Sequence, residues 1–369
     1  MPRELIAIAP RTPAIREYDD PPLGPKQVRI RTEFASPKHG TELVAYRNDP
    51  EANRPYDPNS GVVKPISSEE GLKRFPFRLG NMAVGTVTEI GSEVTRFRVG
   101  DRVFGHLPIR ETHTVDESKV DAVPEGISDE ALVCLDPAVM AMAIRDARID
   151  LGDRVAVFGL GAIGLMAVQM ARLAGADMII GVDPVETRRK LAESLGADVT
   201  LDPTVGDVGV KIRELTPPFA PIEGTSPRRV IGGYRSASQD RSGSGVDVSI
   251  EVSGNTIALQ QAIRSTGFGG RVCVLSFYGR DASGLYLGDE FHINRIELIS
   301  ARSESLPMRE YPRWNLDRYV SLALKWLAEG KLRVEGIIQP VVPFDDAPEA
   351  YKLIDEHPDR AIKLGIIFP

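Results

Sequence analysis

Apolar and polar residues follow two different rhythms along this chain, and the rhythm changes near residue 151. Before that point, QVRIRTEFASP (27–37) alternates in part, as a half-buried strand does. AVGTVTEIGSEVTRFRVGDRVFG (83–105) is rich in Val, Thr and Ile and is cut by turn signals at Gly91 and at Gly100-Asp101. Residues 48–76 between these runs hold Pro, Asn, Ser and Glu without periodicity, so they read as a long surface loop. A helical stretch then begins at Ser128, a natural N-cap, with Asp129 and Glu130 in its first turn and Pro137 set to kink or restart it.

From residue 151, short apolar runs alternate with helical stretches. RVAVFG, DMIIGVD, VDVSIEVSG and RVCVLSF are buried-strand patterns, and the helices predicted between them include 162–174, closed by Gly175, and 186–195, closed by Gly196. Such alternation predicts βαβ units and a parallel sheet. Residues 216–245 interrupt it with Pro, Gly, Ser and Arg and read as an inserted excursion. Leu316, Tyr319, Val320, Ala323, Leu324 and Leu327 recur at helical spacing up to Gly330, and the final 33 residues return to strand-like GIIQPVVPF and AIKLGIIF.

Composition narrows the function. A chain of 369 residues, 42% hydrophobic and 26% charged, is sized for two globular domains. Its net charge of −7 lacks the basic excess that phosphate backbones demand, which excludes nucleic acid as the expected partner. Cys134 and Cys273 are the only cysteines, too few for a disulfide framework or a four-cysteine zinc lobe. The N-terminus lacks the h-region of a signal peptide, so a cytoplasmic location is expected. Val155–Ala171 is apolar enough to test as a membrane span, but it is short and glycine-rich in its first half, so strand, turn and helix explain it better.

The candidate chemistry starts at that stretch. Gly159, Gly161 and Gly164 form G-x-G-x-x-G directly after a strand and at the opening of a helix. The first glycine permits the tight turn, the second lets a pyrophosphate approach the backbone, and the third lets the helix pack closely on the sheet. Asp183 follows Gly164 by 19 residues at the end of the next strand, where a carboxylate accepts from ribose hydroxyls and repels a 2′-phosphate. NAD(H) is therefore the expected cofactor, with Arg188 and Arg189 the features that would favour NADP(H). The expected cofactor contacts are Gly159, Leu160, Gly161, Ala162, Ile163, Gly164, Asp183, Pro184 and Arg188. Ser253, Gly254, Ser276 and Phe277 join them at the carboxyl ends of later strands.

LGNMAVGTVTEIGSEVTRFRVGDRVFG, the glycine fingerprint and the terminal RAIKLGIIF together resemble the medium-chain dehydrogenase/reductase superfamily over nearly the whole chain. The resemblance implies an α/β protein in which a GroES-like β-rich catalytic domain (1–125, completed by 337–369) holds substrate. A Rossmann doubly wound parallel sheet (126–336, with the 216–245 insertion) would bind the cofactor. Zinc members carry Cys-Gly-Ser-Asp, Gly-His-Glu and a third cysteine or acid. Here those places read His39-Gly40-Thr41-Glu42, Gly80-Asn81-Met82 and Cys134-Leu135-Asp136-Pro137, so no classical catalytic zinc is expected, a weak or different metal held by His39 with Asp136 or Cys134 being the alternative. SPKHGTELVAYR looks more like a zinc-lacking branch that includes bacteriochlorophyllide hydroxyethyl dehydrogenase.

Without zinc, hydrogen-bond donors and an acid/base must handle the substrate oxygen. The resemblance places Thr41 where the family keeps its relay hydroxyl. His39 is the acid/base candidate, with Asp136 and Asn81 at the polar end of the pocket. It also places Glu42 and Lys363 as an acid and a base meeting near the pyrophosphate, an ordinary surface ion pair being the alternative. His106 and His113 receive no role, and Cys273 reads as core. The expected activity is hydride transfer between NAD(H) and a secondary alcohol or its ketone, such as a sugar, polyol or cyclitol. The rivals are an NADPH-dependent quinone or enone reductase and a non-catalytic NAD-binding sensor. RIELISA (295–301) reads as an exposed sheet edge through which a homodimer or homotetramer would form.

Overall fold

A computed structural model describes residues 1–49, 56–63, 75–218, 244–278 and 282–369. Most of the expected loop 48–76 and nearly all of the insertion 216–245 lie outside the described residues. Two compact units emerge, one built mainly from Met1–Val139 and Trp314–Pro369, the other from Met140–Phe277 and Ala282–Arg313.

The first unit is β-rich. Strand Gln27–Ser36 is central and pairs antiparallel with Met82–Ile90, with Thr112–Asp116 and with the C-terminal strand Lys363–Ile367. Arg102–Gly105 and Val120–Ala122 extend the sheet on one side, and Ile338–Pro343 extends it on the other. A smaller sheet joins Thr12–Glu17, Arg3–Ala9 and Phe77–Arg78. The partial alternation in the central strand has a plain cause: Val28, Ile30 and Phe34 face the core while Arg29, Arg31 and Glu33 do not. Val28 and Ile30 join Leu5, Val87, Ile109 and Leu364 in one buried cluster. Ser128 caps the helix Asp129–Val133 by accepting from the Ala131 N–H at 3.2 Å, and a second helix, Leu135–Ala141, carries Pro137 near its start. This pair and the helix Leu316–Ala328 cluster with the β-rich unit.

The second unit is a six-stranded parallel sheet. Its spatial order is Val199–Leu201, Met178–Val182, Arg154–Phe158, Val246–Glu251, Thr266–Val274 and Glu297–Ser300. Numbered within the unit this is 3-2-1-4-5-6, the doubly wound order whose ligand crevice opens where strands 1 and 4 diverge. Strand Arg154–Phe158 runs straight into helix Ala162–Ala174, which Gly175 ends in the left-handed conformation (φ 110°). The apolar stretch at 155–171 is thus a buried strand and a buried helix. Among the described residues no helix is long and apolar enough to cross a membrane. Glu297–Ser300 lies at the sheet edge, as RIELISA predicts.

Candidate active site

In the sheet unit, the glycine turn sits at the switch between strands 1 and 4. Gly159 has φ 96°, a left-handed conformation open chiefly to glycine, and its N–H donates to the Val182 carbonyl at 2.8 Å. A Cβ on Gly159 would meet Ser253 at 2.9 Å, so the expected contact residues of strands 1 and 4 converge here. Gly161 caps the following helix, and a Cβ there would project into open space. That cradle, facing free N–H groups at a helix start, fits a pyrophosphate. A Cβ on Gly164 would lie 1.9 Å from the Gly159 carbonyl oxygen, a backbone clash that no rotamer relieves. Gly164→Ala is therefore expected to destabilise the protein by about 1–3 kcal/mol and to abolish measurable NAD⁺ binding. Calorimetry showing wild-type affinity in the folded variant would refute this reading of the turn.

Asp183 is buried and does more than end its strand. Its two carboxylate oxygens accept from the Leu160 and Val185 N–H groups, each at 2.8 Å, which ties the glycine turn to the end of the neighbouring strand. Arg188 approaches the same carboxylate at 3.8 Å. Arg189 donates to the Asp183 and Pro184 carbonyls at 2.7 and 2.8 Å and pairs with Asp202 at 3.2 Å. Both arginines are thus engaged around Asp183 and its loop. Ala162 and Ile163 form the first turn of the helix, Leu160 is buried and Pro184 is exposed. Across the switch, the Gly254 N–H donates to Ser276 Oγ at 2.8 Å, Ser253 donates to Glu251, and Phe277 is exposed.

A second polar cluster lies in the β-rich unit and gathers three of the four expected catalytic residues, His39, Asn81 and Asp136, together with Lys363. His39-Gly40-Thr41-Glu42 opens the helix His39–Arg47. Lys38 precedes it without a side-chain cap, and Glu42 reaches back to accept the Lys38 N–H at 3.3 Å. This reciprocal bond takes the place of a cap. His39 Nε2 accepts the Leu364 N–H at 3.2 Å, so the ring must release that amide before Nε2 takes a substrate proton. Asn81 is buried, its N–H donates to the Ser36 carbonyl at 3.1 Å, and its side-chain Nδ2 has no partner among the described residues. His106 Nδ1 donates to the Asn81 carbonyl at 2.5 Å. Thr41 is exposed on the first turn of its helix.

Asp136 lies in the first turn of its helix, where Lys38 Nζ meets Oδ1 at 2.9 Å. Lys363 is 4% exposed and its ammonium donates to the Pro37 carbonyl at 2.7 Å. Burial lowers its pKa, against the pull of Cys134, Asp136 and Glu42 and with the push of Lys38. Glu42 is no surface partner either. It accepts from the Tyr351 hydroxyl at 2.7 Å and the Gly80 N–H at 2.9 Å, and burial raises its pKa. Lys38 and Tyr351 escaped the sequence reading. The lysine stood one residue before the motif, and the tyrosine lies 309 residues from its partner.

Comparison with known proteins follows this geometry closely. A zinc-binding dehydrogenase family model matches residues 162–315, and an alcohol dehydrogenase GroES-like domain model matches residues 24–143. D-guloside 3-dehydrogenase of Escherichia coli strain K12 is 38% identical over 376 aligned residues, covering 99% of this chain and 100% of that protein. The chain belongs to the medium-chain dehydrogenase/reductase superfamily. It is an NAD(H)-linked oxidoreductase of the alcohol dehydrogenase-like kind. (R,R)-Butanediol dehydrogenase of Bacillus subtilis strain 168 is 28% identical over 314 residues, covering 76% of this chain and 77% of that protein. The crystal structure of 2R,3R-butanediol dehydrogenase from Bacillus subtilis shares the fold, with a TM-score of 0.70 at 22% identity over 100% of this chain and 99% of that one.

The family's zinc finds poor donors in this medium-chain dehydrogenase. His39 Nε2 is taken by an amide, and Asn81 Nδ2 is a donor without a lone pair to give. Cys134 is wholly buried, and burial pushes its thiol up to about 12. Asp136 already faces an ammonium. Among the described residues, no three His, Cys, Asp or Glu side chains gather as a metal site.

Proposed function

We propose that this protein oxidises a secondary hydroxyl of a polyhydroxylated substrate, a hexoside, polyol or cyclitol, or reduces the matching ketone, using NAD(H) and no zinc. The reading places it in the zinc-lacking branch whose Ser-x-Gly-Thr-Glu motif Ser36–Glu42 resembles. The observation that carries it is the cluster of Lys38, Asn81, Asp136 and Lys363, where ammonium and amide donors stand in place of metal ligands. The D-guloside relative supports a sugar-like substrate with a reacting 3-hydroxyl.

When bound, NAD⁺ supplies the hydride acceptor. The helix start at Gly161 holds its pyrophosphate, and Asp183 sets the glycine turn and disfavours a 2′-phosphate. On the β-rich unit, buried and half-buried donors align the substrate oxygen and exclude water. Thr41 and His39 pass the proton outward, His39 after yielding its Leu364 bond. The exposed-edge strand Glu297–Ser300 offers a surface for self-association as a dimer or tetramer.

The test uses chelator-dialysed protein, a panel of hexosides, polyols and simple alcohols, and both coenzymes. Formation of NADH from at least one polyhydroxylated substrate, unchanged by chelation and at least tenfold weaker with NADP⁺, is expected. Activity that vanishes on chelation and returns with Zn²⁺ would overturn the zinc-free reading. A preference for NADPH with quinones would favour the reductase alternative, against which the buried Asp183 carboxylate stands.

A further inference from the structure

We propose that the Lys38 ammonium is the catalytic cation of this protein: it polarises the substrate oxygen and exchanges a proton with it. The inference rests on the dehydrogenase reading above. Two ammonium groups belong to the polar cluster, and their surroundings separate their roles. Lys363 is sealed in the core and spends a hydrogen bond on the Pro37 carbonyl. Lys38 and Asp136 have side chains 21% and 14% exposed, close enough to the surface to meet a ligand and withdrawn enough for charge to matter. An ammonium carries three N–H donors, and the carboxylate at 2.9 Å engages one.

The root of Lys38 is held firmly. Its own N–H donates to Glu42, the preceding carbonyl takes the Lys363 ammonium, and Ser36 Oγ donates to the Leu364 carbonyl at 2.7 Å. A preorganised donor loses little on meeting the transition state. Asn81 supplies an independent observation. Its Nδ2 is a buried donor with no partner among the described residues, and its backbone N–H is bonded to Ser36, two residues from Lys38. Leaving such a donor unmet costs stability, a cost that an acceptor oxygen of a bound ligand would remove. A hydroxyl-rich substrate carries such acceptors.

The proton balance is simple in the direction of reduction. The carbonyl carbon gains the hydride from the bound coenzyme, and the C=O π pair moves to oxygen. That oxygen takes one proton from Lys38 Nζ, and the resulting amine regains a proton from water. Oxidation runs in reverse, the Lys38 amine receiving the hydroxyl proton as hydride leaves the carbon. Asp136 holds the ammonium in place through the 2.9 Å contact.

Three proteins test this: wild type, Lys38→Met and Lys38→Arg. The methionine variant is expected to lose about 10²-fold or more in kcat while binding NAD⁺ within twofold of wild type. The arginine variant keeps the charge but gives up its proton poorly, so KM should stay near wild type while kcat falls at least tenfold. A kcat for Lys38→Met within threefold of wild type would overturn the proposal. Zinc titration judges it without turnover. Wild type is expected to take up no stoichiometric Zn²⁺, and one tightly bound zinc per chain would overturn it. Wild type inactive on every alcohol, sugar and ketone would sink the dehydrogenase reading instead, leaving the zinc titration to decide whether a metal occupies the cluster.

Discussion

The Glu42→Ala protein is expected to melt roughly 6 °C below wild type, a loss of about 2–3 kcal/mol for removing the shared acceptor of a half-buried hydrogen-bond network. Glu42 serves three donors at once: the Tyr351 hydroxyl, the Gly80 N–H and the Lys38 N–H. Alanine would leave them unmet, and an unmet buried donor costs more than a bond contributes. It would also remove the negative charge that helps hold the wholly buried Lys363 ammonium. Glu42→Gln keeps the shape and one acceptor, so it should lose less than half as much. The pairing with Lys363 is separable by a double-mutant cycle. Lys363→Met removes the ammonium that needs compensation, and the Glu42→Gln/Lys363→Met protein should be more stable than the sum of the single losses predicts, by roughly 1 kcal/mol or more. Strict additivity in thermal and denaturant unfolding would show that the two charges do not support each other. A melting temperature for Glu42→Ala within 2 °C of wild type, the scale of about 1 kcal/mol, would refute the network itself.

That network shows where sequence stops being informative. The parallel sheet, its glycine turn and Asp183 were legible because each signal is local: an apolar run, three glycines at fixed offsets and an acid at the end of the next strand. The β-rich half was legible in kind, since the alternation in 27–36 reflects one buried face. The helix at His39–Arg47 was not, because Lys38 offers no capping side chain and Gly40 sits in the first turn. Its start depends on Glu42 reaching backward and on Leu364, contributed from more than 300 residues away. The burial of Lys363 was equally hidden. In a strand reading Lys-Leu-Gly-Ile-Ile, a lysine looks like a solvent-facing residue, and only pairing with both neighbouring strands buries it. The Lys38–Asp136 pair spans 98 residues and two helices, so no periodicity announces it.

The same β-rich unit should be acid-labile, and His113 is expected to account for much of that lability. Its ring, on strand Thr112–Asp116, is 2% exposed and its Nε2 has no partner among the described residues. Burial, reinforced by the Arg110 and Arg78 charges, lowers its pKa from the ordinary 6.5 to about 3. In the folded protein the ring therefore stays neutral from pH 6.5 down to about 3, while the unfolded chain takes up a proton across that interval. Because the unfolded state binds more protons there, stability must fall as pH falls. The loss is complete near the folded pKa and amounts to something on the order of 4 kcal/mol. Buried Glu4 adds to it at the lower end. Burial alone would raise its pKa, but Arg16 and Arg78 bind its carboxylate and lower it overall, so protonation below the ordinary 4.5 also favours unfolding. His113→Phe removes the titrating ring from a site where its Nε2 makes no bond to the described residues and keeps a flat aromatic ring there. The variant should match wild type within about 1 kcal/mol at pH 8 and exceed it by several kcal/mol at pH 4, read as denaturant midpoints across the pH range. Parallel stability curves for the two proteins from pH 8 to pH 4 would mean that His113 titrates alike in both states, and the acid lability would then have to rest on Glu4 and its arginines.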